Sequence, residues 1–564
     1  MKIQPGRRRI MTGIRTVEGG VKESHQSRQS CRDVVYSRGP ARLERRGPLL
    51  LIHPPVAKAS EPPAGIARLA GALGRHGIGC VVLDANLEGL WASIRTPFAA
   101  SDRWTQRAVR GVERNIATLS SWDGYRNIDR YKRAVADLNR VAGAAAAASG
   151  VHLTLADYQD PLRSAVRSAD LLAAAEAPEA DPFFGWFSRR LEEVLSVHGP
   201  SMVGFSLNYL SQALTAFAMA GFLRRLDGRL PIVFGGGLVT SWMRRPAFRN
   251  PFGGLIDTLV AGPGEGFLLE SFGVEEPGAA GPPDFSVFSR YRYLSPGPIL
   301  PYSASSGCYW GRCSFCPERA ERNPYRPVPH TDVLTDLGVL SRAERPVLIH
   351  LLDNAVSPAL LKRLAAGGGP GMPWYGFARA SELLADEDFC RALKRSGCVM
   401  LKLGLESGDQ DVLDAMGKGA RVETAGRVLD GLRRAGIATY VYLLFGTPGE
   451  DRAAAERTLE FVVRHREAIG FLNLAVFNLP VHSPDARALA TDPFYEADLS
   501  LYTGFAHPRG WDRPLVRRFL DREFRRHRAV APILRRDPPL FTSNHAPLFS
   551  MAAAAEGQAQ GRRR

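Results

Sequence analysis

The segment Ser306-Gly-Cys308-Tyr-Trp-Gly-Arg-Cys313-Ser-Phe-Cys316 places three cysteines within nine residues, directly after the apolar run 299–304. Such a run is typical of a buried parallel strand, so the cysteines are expected on the loop at its carboxyl end. Three thiolates can each bind one iron of a four-iron four-sulfur cluster, leaving one iron open. Zinc is an alternative, but zinc usually takes four ligands and the next histidine is His330. A chance group of buried cysteines is the other alternative.

From residue 299 onward, strands and helices alternate in the pattern of a parallel barrel. Helices are predicted at about 332–342, 358–366, 386–396, 409–416, 423–435 and 451–466. Strands are predicted at 299–304, 347–352, 373–379, 399–405, 439–445 and 471–480. Six such units predict a partial (β/α)6 TIM-type barrel over residues 299–485, followed by a small C-terminal cap at 486–550.

The first half of the chain repeats the α/β pattern. Continuous apolar runs predict parallel strands at 48–53, 80–84, 201–206, 231–235 and 255–260. Helical spacing predicts helices at 62–76 and 211–226, and a mostly helical insertion at about 87–195. We therefore predict a Rossmann-like, doubly wound α/β domain at 47–272, joined to the barrel by a Pro- and Gly-rich linker at 273–298.

Charge and composition set limits on location and partners. Half of the net charge of +16 lies in residues 1–46, which we interpret as a disordered basic leader in preference to a nucleic-acid arm. The Ala-rich residues 551–564 are predicted to be a disordered tail. No apolar run reaches the roughly 18 residues that a membrane span needs. The protein is therefore expected to be cytoplasmic. Its seven cysteines are too few for a disulfide framework.

The cysteine segment resembles the cluster-binding loop of the radical S-adenosylmethionine (SAM) superfamily, which usually reads C-x3-C-x-aromatic-C. Here four residues separate Cys308 from Cys313, and Gly311 can absorb the extra residue as a bulge. The later stretch Gly404-Leu-Glu406-Ser407-Gly408 resembles the superfamily's G-x-E-S-G strand end. The order and spacing of these pieces match the superfamily from about 299 to 480.

The resemblance implies an enzyme in which the reduced cluster donates an electron to SAM, giving methionine and a 5′-deoxyadenosyl radical. Asp353 with Asn354 would contact the amino group of SAM. The alternative is that the pair caps the N-terminus of the next helix. Glu406 would bind the ribose, with a buried salt bridge as the alternative, and Ser407 the methionine carboxylate. No catalytic residue is assigned beyond the cluster ligands. The implied SAM-binding residues are Phe315, Asp353, Asn354, Arg379, Glu406, Ser407 and Gly446.

Residues 48–270 are similar to the cobalamin-binding domain that precedes many radical SAM barrels. The matching Gly-rich turns follow parallel strands, where room for a ligand is expected, although a purely structural sheet is the alternative. A D-x-H-x-x-G segment that would ligate cobalt is absent, and His53 has the wrong neighbours for that role. The residues implied for cobalamin are Ser206, Gly235, Gly236, Gly237, Gly262 and Gly264.

The sequence leaves two functions open. A radical SAM enzyme with cobalamin as its implied second cofactor would carry out methyl transfer, cyclisation or rearrangement. Its partners would be a small-molecule or peptide substrate and a reductant such as flavodoxin or ferredoxin, with neither a membrane nor nucleic acid. The rival is a non-catalytic iron–sulfur or zinc protein with a sensing or assembly role. The sequence identifies neither the substrate nor the oligomeric state.

Overall fold

A computed structural model of the protein describes residues 35–36, 39, 47–99, 102–246, 248–275, 281–367, 369–494 and 497–561. The N-terminal half contains a six-stranded sheet in the order β1-β8-β7-β6-β2-β3, and a separate two-stranded ribbon, β4-β5. These strands are β1 (Val35–Tyr36), β2 (Leu49–Ile52), β3 (Cys80–Leu83), β4 (His152–Leu153), β5 (Tyr158–Gln159), β6 (Met202–Ser206), β7 (Ile232–Gly235) and β8 (Thr258–Ala261). From β2 to β8 the strands of the large sheet run parallel, so the predicted Rossmann-like sheet is confirmed.

Helices cover this sheet and form the insertion. Helices α2 to α8 fill the stretch predicted as a helical insertion, and their apolar faces share one core with the sheet. The helices are α1 (Ala64–Arg75), α2 (Ala85–Arg95), α3 (Arg103–Arg110), α4 (Val112–Leu119), α5 (Trp122–Arg126), α6 (Ile128–Ala145), α7 (Ser168–Glu176), α8 (Phe184–His198), α9 (Ala213–Leu226), α10 (Gly237–Met243) and α11 (Glu265–Ser271).

The predicted disordered leader needs one correction. Val35 and Tyr36 pair antiparallel with Ala261 and Val260 and form the edge strand β1. A β-branched residue followed by an aromatic suits a strand, and the free edge of β8 offers it backbone partners. The remainder of residues 1–46 lies outside the described residues, apart from Gly39.

The second half is an open barrel of six parallel strands in sequential order, β9-β12-β13-β14-β15-β16, as predicted. Its strands, with the ribbon β10-β11, are β9 (Ile299–Tyr302), β10 (Ser305–Ser306), β11 (Arg326–Pro327), β12 (Leu348–Leu351), β13 (Trp374–Ala378), β14 (Cys398–Glu406), β15 (Ala438–Phe445) and β16 (Phe471–Val476). The helices are α12 (Pro317–Ala320), α13 (His330–Glu344), α14 (Pro358–Ala366), α15 (Glu382–Ala385), α16 (Glu387–Arg395), α17 (Gln410–Ala415), α18 (Val422–Arg434) and α19 (Arg452–Arg464).

The C-terminal part packs on both domains. It contains the sheet β17-β19-β18 and the helices α20 to α23. These elements are β17 (Leu479–Pro480), α20 (Pro484–Ala488), β18 (Thr491–Asp492), β19 (Tyr502–Phe505), α21 (Arg513–Phe519), α22 (Ala531–Arg536) and α23 (Thr542–Gly561). The strand predicted at 471–480 is therefore two strands in two different sheets, since Leu479 pairs with Thr503 of β19.

The predicted disordered tail at 551–564 is wrong over most of its length. Helix α23 continues to Gly561, with Ala552 buried. Alanine has the highest helix propensity, so the Ala-rich sequence extends a helix that packing has already started. Within the described part of the chain, no helix is both long and apolar enough to cross a bilayer.

Candidate functional site

The three cysteines lie on one loop, whose two ends are joined by a short antiparallel ribbon. After β9, Ser305 and Ser306 pair antiparallel with Pro327 and Arg326, so the ribbon β10-β11 joins the two ends of the loop. Cys313 is buried, Cys308 and Cys316 are half-buried, and all three thiols are free. The loop stands at the carboxyl end of a parallel strand, the edge at which barrel enzymes place their chemistry.

The longer cysteine loop contacts the barrel through Trp310. Gly311 has φ +60, a conformation that favours glycine, so the predicted bulge is present. The Trp310 indole N–H donates to the Gly417 carbonyl at 3.0 Å, and the Arg379 guanidinium lies 4.1 Å from the centre of the Trp310 ring. A Cβ added to Gly419 would overlap that ring. The longer spacing therefore gives the loop an additional anchor on the turn after α17.

Asp353 and Asn354 tie down the start of the same loop. The Asp353 carboxylate accepts the Ala304 N–H at 3.1 Å and the Ser305 hydroxyl. The Asn354 side-chain amide donates to the Gly307 carbonyl at 3.1 Å. Ser357 caps the next helix, so the N-cap alternative for the pair is wrong. Both residues lie at the cysteine loop, and their contact with SAM stays a prediction.

Glu406 forms the salt bridge that the sequence left open as its alternative role. Its Oε1 lies 2.8 Å from Lys418 Nζ, and both side chains are largely buried. Lys418 Nζ also lies 5.5 Å from the centre of the Phe315 ring, which packs against Val412 and neighbouring apolar residues. Glu406 itself has φ +66, which is uncommon for a residue with a side chain. The sequence did not indicate Lys418 as the partner of Glu406, because the two residues stand twelve positions apart.

Ser407 and Arg379 make contacts within the protein. The Ser407 hydroxyl lies 3.1 Å from the Thr458 hydroxyl and accepts the Asp409 N–H at 3.1 Å. Arg379 donates to the Lys418 carbonyl, in addition to its stacking on the indole of the cysteine loop. The predicted roles of both residues in binding the methionine part of SAM are not tested by these contacts.

Burial and neighbouring cations shift the pKa values of the cysteine thiols in opposite directions. Burial raises the pKa of Cys313, and the nearby Lys418 and Arg379 partly offset this increase. Burial also raises the pKa of Cys316, to about 11. Iron binding replaces the thiol protons, so these cations suit a site that becomes anionic when a cluster is bound. Among the described residues, no three His, Cys, Asp or Glu side chains meet at the spacing of one metal ion.

The end of β15 contains buried polar atoms without partners. Gly446, with φ +82, donates its N–H to Glu450 Oε2, which also accepts the Trp511 indole N–H at 3.1 Å. Glu450 Oε1 and the Thr447 hydroxyl are buried and have no hydrogen-bond partner among the described residues. Burial raises the pKa of Glu450 to about 8. The resemblance assigned Gly446 of this segment to SAM binding, but no role was predicted for Glu450.

A glycine-lined slot lies at the carboxyl edge of the N-terminal sheet. This cavity of about 190 Å³ is lined by five of the six residues predicted for cobalamin, Ser206, Gly235, Gly236, Gly262 and Gly264. The sixth, Gly237, does not line the slot, and its N–H donates to Asn208 Oδ1 at 3.0 Å. The slot therefore brings together five of the six residues that the resemblance implied, and their contact with cobalamin stays a prediction.

At three glycine positions of the slot, neither the backbone conformation nor a close neighbour requires glycine. Gly65, Gly235 and Gly264 have no positive φ, and a Cβ on each would meet its nearest neighbour no closer than 3.6 Å. Side chains there would instead fill the slot. Gly236 differs, because its φ of +104 and the Leu207 carbonyl exclude a side chain. The three unforced glycines keep space for a ligand.

A second cavity of about 580 Å³ lies between the insertion and the linker, and the sequence did not indicate it. Its walls include Trp91 and Arg95 of α2, Tyr291 and Tyr293 of the linker, and Glu344 at the end of α13. The linker itself is fixed to the N-terminal sheet, since the Tyr293 hydroxyl donates to Asp84 Oδ2 at 2.5 Å.

The sequence of the barrel matches a known family. Residues 302–462 match the model of the Radical SAM superfamily. A bacteriochlorophyllide d C-12(1)-methyltransferase of Chlorobaculum tepidum is 26% identical over 194 residues, 33% of this chain and 42% of the relative. A probable threonylcarbamoyladenosine tRNA methylthiotransferase of Methanocaldococcus jannaschii is 24% identical over 188 residues, 31% of this chain and 44% of that protein. Both alignments span less than half of the relative's length.

Solved structures share the fold over most of this chain. The radical SAM methyltransferase TsrM of Kitasatospora setae, with tryptophan and a SAM analogue bound, has a TM-score of 0.52 and 15% identity over 90% of this chain and 95% of TsrM. The cobalamin-dependent enzyme OxsB, with aqua-cobalamin bound, has a TM-score of 0.51 and 13% identity over 82% of this chain and 65% of OxsB. At these identities the likeness concerns the fold, a Rossmann-like sheet followed by a radical SAM barrel.

Proposed function

We propose that the chain is a radical SAM enzyme, since residues 302–462 match the model of that superfamily, and that it cleaves SAM at a cluster held by Cys308, Cys313 and Cys316. The observation that carries this proposal is three free thiols on one closed loop at the carboxyl end of β9. Three cysteines fit a four-iron cluster and leave one iron for SAM. A four-ligand structural zinc site would need a further donor on this loop.

The residues of this chain hold and orient the reacting groups. A bound cluster would supply the electron that cleaves the sulfonium of SAM. Asp353 and Asn354 fix the start of the cysteine loop, and Trp310 fixes its middle on the turn after α17. Lys418 and Arg379 place positive charge beside Cys313. Rigid support of this kind keeps the open iron and the SAM site in one geometry.

Cobalamin is the second cofactor that we propose, bound at the slot of the N-terminal sheet. The slot holds five of the predicted residues, and its unforced glycines leave room that side chains would otherwise fill. Ligands of open α/β sheets bind at this carboxyl edge. OxsB, which shares the fold, binds aqua-cobalamin.

Methyl transfer is the reaction that we favour within this family. One curated relative is a methyltransferase, and the fold is shared with the methyltransferase TsrM. Cyclisation and rearrangement remain the other candidates for a cobalamin-binding member. The substrate would be a small molecule or a peptide, and flavodoxin or ferredoxin would supply electrons in the cytoplasm.

The cluster is tested by exchanging one cysteine at a time. After anaerobic reconstitution, Cys313→Ala should lose most of its iron and its dithionite-dependent conversion of SAM to 5′-deoxyadenosine. Cys80→Ala is the matched control, because Cys80 is a half-buried cysteine of the N-terminal sheet. Full SAM cleavage by Cys313→Ala would contradict the proposal. Iron bound by the unaltered protein without any SAM cleavage would favour the non-catalytic alternative.

The cobalamin slot is tested with two leucine variants on one helix. Gly65→Leu places a side chain in the slot, whereas Gly74 on the same helix α1 is exposed and a Cβ added there meets no atom within 4 Å. Leucine favours a helix over glycine at both positions, so stability should be retained. We expect Gly65→Leu alone to lose hydroxocobalamin binding, followed by absorbance after gel filtration. Equal binding by both variants would place cobalamin elsewhere.

A further inference from the structure

A chain of hydrogen bonds crosses the inside of the barrel. Lys402 Nζ lies 2.8 Å from His350 Nε2, and His350 Nδ1 lies 2.9 and 3.1 Å from the two Glu61 carboxylate oxygens. We call these three residues the lumen triad. Glu61 comes from the loop after β2, so the triad joins the N-terminal domain to two strands of the barrel.

The side chain of Lys402 points into the barrel, away from the outer helices. Its neighbours on β14, Leu401 and Leu403, pack in the core that contains the outer helices. Lys402 instead reaches over β13 to β12, passing 4.3 Å from the centre of the Phe377 ring. Side chains alternate along a strand, so this direction places Lys402 on the inner face, two residues before Gly404 and four before Glu406. The amine therefore lies in the lumen below the predicted SAM site.

The groups around Lys402 set the direction of the hydrogen bonds. Burial lowers the pKa of His350, so a neutral ring donates from Nδ1 to Glu61 and accepts the Lys402 N–H at Nε2. Burial also lowers the pKa of Lys402, to about 7, with Glu61 raising it and Lys58 lowering it. The titratable groups that face Lys402 are His350, Glu61, Lys58 and Tyr375.

The lumen also contains hydrogen-bonding groups that the described protein leaves unused. The Tyr375 hydroxyl is fully buried and has no partner among the described residues. Its ring stacks on His350, with the ring centres 4.3 Å apart. Beyond His350, the Lys402 amine faces the rings of Phe377 and Tyr375 within the described part of the barrel. The Tyr375 hydroxyl and the Lys402 N–H bonds that do not reach His350 thus lie in the lumen without an acceptor from the described chain.

The other end of the triad is the more accessible one, since the Glu61 side chain keeps 13% of its surface exposed and the His350 side chain 6%. Glu61 also accepts the Asn544 amide of α23 at 3.2 Å, and its charge raises the pKa of Tyr209. Burial is the larger cause of that increase, and Tyr209 itself keeps 58% of its surface accessible to solvent. Tyr209 follows Asn208, which lines the glycine slot.

We infer that Lys402 is the acid–base residue for the substrate and that His350 and Glu61 exchange its proton with solvent. This inference rests on the proposed function. The substrate class is a molecule with an N–H or O–H group that must lose its proton. The Lys402 lone pair takes that proton and the bonding electrons stay on the substrate. Lys402 then passes a proton to His350 Nε2 while the Nδ1 proton moves to Glu61, which releases it to solvent water.

Competitive reductive methylation of the full chain tests this inference without cluster, SAM or substrate. Formaldehyde and cyanoborohydride label only neutral amines, and mass spectrometry of peptides gives the extent of labelling at each lysine. We expect the labelling midpoint of Lys402 to lie about three pH units below that of the exposed Lys362. A midpoint equal to that of Lys362, or no labelling of Lys402 between pH 6 and 10, would overturn the inference.

Two variants test the relay itself. In Glu61→Gln the carboxylate that stabilises charged Lys402 is lost, so the Lys402 midpoint should fall, whereas Glu113→Gln, in an exposed pair with Arg95, should leave it unchanged. An unchanged midpoint in Glu61→Gln, with Lys362 labelled as in the parent chain, would contradict the relay. Failure of this inference can be distinguished from failure of the proposed function. The inference is tested by methylation of Lys402, whereas the proposed function is tested by formation of 5′-deoxyadenosine in the cysteine variants.

Discussion

At the scale of single residues, the site contains ionisable groups whose chemistry depends on burial. Glu450 illustrates this, because one carboxylate oxygen accepts two N–H donors while the other is buried without a described partner. A protonated carboxyl suits that asymmetry, since the ionised form would leave charge in an apolar environment. The raised pKa of Glu450 follows from this burial.

Glu450→Gln should therefore change how stability depends on pH. The folded-state pKa of about 8 lies above the ordinary value of 4.5, so the native state binds the extra proton between these limits. Stability of the unaltered protein should fall relative to Glu450→Gln as pH rises from 5 to 8, by at most about 1.4 kcal/mol per pH unit. Urea unfolding at several pH values measures this difference.

Glu456→Gln is the control, because Glu456 is exposed on α19 in a surface pair with Arg452. Its difference from the unaltered protein should stay nearly constant with pH. Parallel pH profiles for Glu450→Gln and the unaltered protein would show that Glu450 ionises normally.

At the scale of elements, the cysteine loop and the turn after α17 form one unit. Trp310 donates to the Gly417 carbonyl, and the Ser314 N–H donates to the Met416 carbonyl at 2.9 Å. The loop length and the two glycines of the turn are therefore linked features of the sequence. The resemblance identified the cysteines, but the contact of their loop with this turn depends on how β9 and β14 are placed in the barrel.

Gly419→Ala should disturb this unit, since the new methyl group would meet the Trp310 ring. We expect the variant to retain less than half of the iron of the parent chain after reconstitution. Gly371→Ala is the matched control, because Gly371 shares a positive φ of +75 but a Cβ added there would have no atom within 4 Å. Both changes cost roughly 1–2 kcal/mol of backbone strain, so a difference in iron content reports the indole contact. Equal iron content in the two variants would contradict this interpretation.

At the scale of the whole molecule, helix α23 holds the insertion, the N-terminal domain and the barrel together. His545 is fully buried, accepts the Tyr131 hydroxyl at 2.6 Å and lies 3.2 Å from the Tyr125 hydroxyl. Burial lowers the pKa of His545 to about 3, so the ring stays neutral and can accept at physiological pH. Two residues along the same segment, Thr542 and Asn544, contact Lys58 of the loop that carries Glu61.

His545→Ala should destabilise the whole molecule by about 3 kcal/mol, because it leaves a cavity and removes the acceptor of a buried tyrosine hydroxyl. Urea unfolding followed by tryptophan fluorescence measures the loss. Glu556→Ala on the same helix is the control, since Glu556 forms an exposed pair with Arg126 and should cost less than about 0.5 kcal/mol. Similar losses in both variants would mean that α23 does not couple the domains.

Sequence patterns alone were enough to predict the order of the βα units, the two domains, and the loop of Cys308, Cys313 and Cys316. These features are local, since strand and helix periodicity and cysteine spacing are written within short windows. The same patterns failed at Val35–Tyr36 and at the tail, where pairing with β8 and the start of α23 set the outcome. The contact of Lys402 with His350 and Glu61 came from the three-dimensional arrangement, because residues 52 and 289 positions apart meet through strand order and domain packing.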